Sequence, residues 1–134
     1  MATYSGWGWD FGTLSASGDL SDKQYHFVEL ANNEGYVRAA TGASSPVPLG
    51  VLQNDPEDGE AAQVRILGVT QVYADAASAI GVGDFVTSGS DGQAVLATGS
   101  NVAGIALKGL SSGSGVLIEV MLLPAALKTA DNTP

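Results

Sequence analysis

Between residues 49 and 123 the sequence alternates short apolar runs with Gly, Asp and Ser turns, and this alternation constrains the fold more than any other feature. Gly50-Val51-Leu52-Gln53-Asn54-Asp55 is followed by the long run 62–73, then by Ile80-Gly81-Val82-Gly83-Asp84-Phe85-Val86-Thr87. Short runs rich in Val and Ile and bounded by turn residues read as strands. Asn54-Asp55-Pro56-Glu57-Asp58-Gly59 is the strongest turn, with proline fixing φ and glycine supplying positive φ. Ser90-Asp91-Gly92-Gln93 reads as a hairpin turn of the Asp-Gly type between 84–88 and 93–97.

The same signals place strands at 24–30, 36–40, 49–53, 102–107 and 116–123. The last is apolar on both faces apart from Glu119 and is expected at the centre of a sheet. Residues 45–48 are an extended connector, because each proline holds its predecessor out of the helical region. Within 62–73, Val64 and Ile66 share one parity and Val69 the other, so a bulge or sharp bend is expected at Gly68. Residues 75–79 are the one expected internal helical turn, with Asp75 as its cap. The expected fold is all-β: a small glycine-rich β-barrel or β-sandwich-like body with an extended N-terminal arm.

Three regions follow: an aromatic arm at 1–24, the all-β body at 25–123 and a C-terminal tail at 124–134. The arm holds Tyr4, Trp7, Trp9 and Phe11 among Gly, Ser and Asp, with neither a sustained period of two nor a helical period. Trp7, Trp9 and Phe11 share a strand parity and project to one side if the chain is extended. They either fold back to complete their own core or cross onto a partner. The arm's shortage of aliphatic core residues favours the second reading, in which buried aromatics supply most of the binding energy.

Composition narrows the function classes. Charged residues are only 14% of the chain while hydrophobic ones are 45%, against about 25% charged in an ordinary soluble domain. A surface so weakly charged suits contact with other copies or with a larger lattice. The net charge is −9 and the five basic residues, Lys23, Arg38, Arg65, Lys108 and Lys128, are scattered. Nucleic-acid binding, which needs clustered cations to follow phosphates, is not expected. No apolar run is long enough to span a bilayer and no secretory signal opens the chain, so neither a membrane nor export is expected.

Reactive groups are scarce. There is no cysteine, and His26 is the only histidine, so it lacks the partners that a zinc site needs. No Gly-x-Ser-x-Gly turn accompanies it. The acidic stretch from Asp55 fails the calcium-loop spacing, with Gly59 at its fifth position and Ile66 at its twelfth. Gly81 and Gly83 lack the Gly-Lys-Ser/Thr of a phosphate loop. No catalytic residue, cofactor or metal is expected, and the chain reads as a non-enzyme.

The ordered pieces Gly50 through Asp55, then Gly59-Glu60-Ala61-Ala62-Gln63-Val64, then Ile80 through Thr87, then Asp91-Gly92-Gln93-Ala94 resemble the capsid decoration, or cement, proteins of tailed bacteriophages. Val102-Ala103-Gly104-Ile105-Ala106-Leu107 and Gly115-Val116-Leu117-Ile118-Glu119-Val120 continue the resemblance, which covers 49–123 and more weakly 25–48. It implies a structural protein made in the host cytoplasm and added to the outer surface of an expanded head. Its partner would be the major capsid protein, its assembly a homotrimer at three-fold positions, and its role resistance to the pressure of packaged DNA. Tyr4, Trp7, Trp9 and Phe11 are the residues expected to meet the capsid or a neighbouring subunit. The alternatives are a carbohydrate-binding β module stacking sugars on Trp7 and Trp9, and a small trimeric nucleotide hydrolase, for which neither an acidic metal site nor a phosphate loop is found.

Overall fold

The computed structural model describes residues 7–42, 47–98 and 101–123. Among them there are nine strands and no helix: β1 (Gly8–Ala16), β2 (Phe27–Leu30), β3 (Tyr36–Ala39), β4 (Gly50–Leu52), β5 (Ala61–Asp75), β6 (Phe85–Ser88), β7 (Ala94–Leu96), β8 (Gly104–Ala106) and β9 (Ser114–Leu122). The body is all-β and barrel-like, as its sequence predicts.

Hydrogen-bonded neighbours make two closed circuits of five strands that share β5. The first runs β1–β3–β2–β4–β5 and returns to β1. The second runs β5–β7–β6–β8–β9 and returns to β5. Closure satisfies backbone groups that an open edge would expose. Each circuit encloses a core. Leu14, Ala16, Leu20, Val28, Val37, Leu52, Ala62 and Val64 fill the first. Val72, Ala74, Val86, Ala106, Ile118, Val120 and Leu122 fill the second, joined by Phe27 and Val51 from strands of the first.

Strand β5 serves both circuits because its partners change at Gly68. Residues 61–68 pair with β1, and residues 68–75 pair with β9. Gly68 has φ +108 and lies so close to β1 that a Cβ there would collide with the Trp7 carbonyl oxygen and the Gly8 Cα. The expected bend is therefore present, but its consequence differs from the expected phase change. Ala62, Val64, Gly68, Thr70, Val72 and Ala74 all point inward, with no change of parity. Leu67 and Val69 are apolar residues on the outer face. The switch of apolar parity to Val69 is real in the sequence, but it marks an apolar residue on the outer face, because alternation tells which residues share a face and not which face is buried.

The segment expected as a helical turn at 75–79 is not helical. Asp75 ends β5, and the following residues bend toward Ile80, which bridges Leu110. The competing pull is the ladder to β9, which holds Asp75 opposite Ser114. The Asp91-Gly92 hairpin forms as expected, with the Gly89 N–H donating to the Gln93 carbonyl at 2.8 Å and Gly92 at φ +84.

The stretch read as an arm runs extended, and from Gly8 onward it is laid along β5 of its own chain as β1. Its residues divide in role. Leu14, Ala16 and Leu20 enter the first core, while Trp7, Trp9 and Phe11 remain exposed. Two register shifts interrupt its ladder to β5, between Trp9 and Asp10 and between Phe11 and Leu14. Its apolar residues pass from outward odd positions to inward even ones, so no single apolar face marks a strand in the sequence.

Candidate functional site

The exposed aromatics stand on a ribbon formed by β1 and the first half of β5. Trp7 is 74% exposed, Trp9 67% and Phe11 44%, whereas large apolar side chains are ordinarily the ones a fold buries. Tyr4, the fourth residue expected at this site, lies outside the described residues. Trp9 is in register with Leu67, and the Val69 N–H donates to the Trp7 carbonyl at 2.6 Å. Trp7, Leu67, Gly68, Val69, Met121 and Leu122 line a groove of about 290 Å³. Apart from the indole N–H of Trp7, every side chain in that lining is apolar, so the groove fits a hydrophobic group.

The ribbon is held by an ion pair that crosses it from β5 to β1. Arg65 Nε donates to Asp10 Oδ1 at 2.8 Å and Gln63 Nε2 donates to Asp10 Oδ2 at 2.6 Å. Arg65 Nη1 reaches past Gly68 and donates to the Val69 carbonyl at 3.0 Å, so one guanidinium ties β1 to β5 and braces the bend. Burial pushes the Asp10 carboxyl up, but hydrogen bonds from Arg65 and Gln63, with the guanidinium charge, outweigh that and hold it below its ordinary value. Both side chains of the pair are mostly buried, 12% and 19% exposed. The charges are thus spent on each other, and the exposed surface is left to the aromatics. Sequence reading singled out the aromatics but missed Asp10, Gln63 and Arg65. Nothing in their spacing brings positions 10 and 65 together, since that contact exists only once β1 pairs with β5.

The other sequence candidates are dispersed. His26 stacks on Tyr73 with ring centroids 5.1 Å apart, and its Nδ1 lies 3.1 Å from the Gln24 carbonyl. The acidic turn is closed by its own groups: the Glu57 N–H donates to the Glu60 carboxylate at 2.8 Å, and Asp58 accepts from the Gly18 N–H at 2.9 Å. Among the described residues no three His, Cys, Asp or Glu side chains are grouped to hold a metal ion.

A closed β module whose salient chemistry is a displayed apolar and aromatic face belongs to the class of docking proteins. The chain is a member of the phage cement protein family, which it matches over residues 16–122. It is thus a capsid-associated structural protein of the virion. Among solved structures it is similar to the crystal structure of the N base of head fiber gp8.5 of bacteriophage phi29. That likeness has a TM-score of 0.62 and 26% identity, and covers 85% of this chain and 92% of the other. No curated protein matches the chain. The family match begins at Ala16, so the aromatic half of β1 stands outside it.

Proposed function

We propose that this chain is a non-enzymatic decoration protein that binds the outside of an expanded phage head and stabilises the shell against the pressure of packaged DNA. Its partner is the major capsid protein, and its copies gather as homotrimers at three-fold positions. Tyr4, Trp7, Trp9 and Phe11 form the contact. The observation that carries this reading is the exposure of Trp7, Trp9 and Phe11 on a strand braced by Arg65 and Asp10. An aromatic ring can bury about 150–250 Å². At ~25 cal/mol per Å² that is roughly 4–6 kcal/mol gross for each ring fully covered. Prior bracing lowers the entropy of ordering that association otherwise costs. Each copy would span capsid subunits, and many copies would stiffen the shell by multivalent attachment.

Cosedimentation with expanded, undecorated cognate heads tests the reading. Saturation at a fixed number of copies per capsid subunit is expected, together with better retention of packaged DNA on heating. Absence of saturable binding would refute it. Quenching of tryptophan fluorescence by a glycan, with no heads present, would instead support a sugar-binding module.

A further inference from the structure

The groove beside Trp7 is one end of a longer feature. In antiparallel pairs, residues directly opposite one another put their side chains on the same face. Val69 lies opposite Met121, Met121 opposite Ile105, and Ile105 opposite Phe85. Val69 is in turn bonded through its N–H to Trp7. Five apolar residues therefore form a single row across five neighbouring chain segments, spanning roughly 19 Å at ~4.8 Å per strand. The inward neighbours Thr70, Val120, Ala106 and Val86 are buried, which turns the row to the outside. Phe85 at its far end is 53% exposed and Met121 at its middle 45%.

We infer that this row, Trp7–Val69–Met121–Ile105–Phe85, is the continuation of the shell-binding surface, and that its occupant is the capsid subunit that also covers the aromatic strand. The inference rests on the decoration reading above and assigns it three further strands, β6, β8 and β9. Continuity selects the occupant: the row runs on from the aromatic contact, because Trp7 and Met121 line the same groove.

The test compares Phe85→Glu with Leu30→Glu in titrations of expanded heads. Both positions are exposed, both changes add one negative charge, and Leu30 lies on β2 in the other circuit. Thermal melts of both variants establish that they are folded; if Phe85→Glu melts early, Phe85→Ser replaces it. The expected result is that Phe85→Glu weakens binding roughly tenfold or more, as loss of a central apolar contact does, while Leu30→Glu binds as the wild type. Wild-type decoration with equal binding by the two variants overturns the row and leaves the decoration reading standing. Failure of the wild type to bind removes both. Self-association of the wild type without heads that Phe85→Glu abolishes makes a second copy the occupant, and also overturns the inference.

Discussion

The two circuits are built on one shared strand with comparable closed ladders, yet their surfaces differ. Around one end of the first circuit, the loops at 17–23 and 54–60 bring Asp19, Asp22, Asp55, Glu57, Asp58 and Glu60 to the surface, tied by Leu20 N–H to the Pro56 carbonyl at 2.9 Å. The second carries the apolar row on its outer face. The cores do not account for this contrast, since each is packed with Val, Leu and Ala. It arises at outward positions, where folding imposes little demand and another constraint has placed apolar residues. The chain is thus a polarised body, with an acidic end and an apolar outer face.

The strongest way to break the comparison is at the shared strand. Gly68→Val puts a branched side chain at φ +108 and into the Trp7 carbonyl and Gly8 Cα. A loss of about 3 kcal/mol or more is expected in urea unfolding, affecting both circuits in one transition. Two separate transitions in the wild type would show that the circuits fold independently.

Arg38→Ala touches the first circuit alone. Glu29 is fully buried and accepts from Arg38 Nε at 2.7 Å and from the Thr41 N–H at 3.0 Å. Removing its cationic partner leaves a buried carboxylate with only the Thr41 donors, at a cost of roughly 2–4 kcal/mol. Glu29→Gln in the same background is expected to recover part of that loss.

Arg65→Ala falls at the ribbon, with an expected cost of roughly 1–3 kcal/mol for the orphaned Asp10 and Val69 carbonyl. It also has a pH signature. The Asp10 carboxyl is held below its ordinary value, so the folded state binds fewer protons than the unfolded one. Its contribution is complete above about pH 4 and is lost as the pH falls through the lowered folded value. The stability difference between wild type and Arg65→Ala should shrink on acidification below that range. A difference that stays constant with pH would mean that Arg65 acts only through the Val69 carbonyl.

Trp9→Ala has the smallest expected effect on stability, within about 0.5 kcal/mol, because the ring is mostly exposed. Its effect on decoration of heads should be much larger. A large drop in melting temperature would instead show that Trp9 supports the fold.

The sequence revealed the strands whose interiors alternate cleanly. In β9 the buried Val120 and Leu122 flank the exposed Met121, and the Asp91-Gly92 turn has local chemistry, so it could be read without knowing the fold. β1 was legible as extended chain but not as a barrel strand, because its apolar residues pass from outward odd positions at Trp7, Trp9 and Phe11 to inward even ones at Leu14 and Ala16. Val69 misled for the opposite reason. An apolar side chain on the outer face has the same sequence signature as one placed inside for packing. Of the site, the aromatics stood out by type alone, whereas Arg65, Asp10 and Phe85 acquire their roles from pairings between distant segments.

The fifteen-residue β5 also has a mechanical meaning. A strand common to two closed rings is a spar: a pull applied at Val69 is shared at once between the β9 ladder and, across Gly68, the β1 ladder. To peel either ring open, a load must strip pairs from a strand that the other ring still grips, so two ladders rather than one resist it.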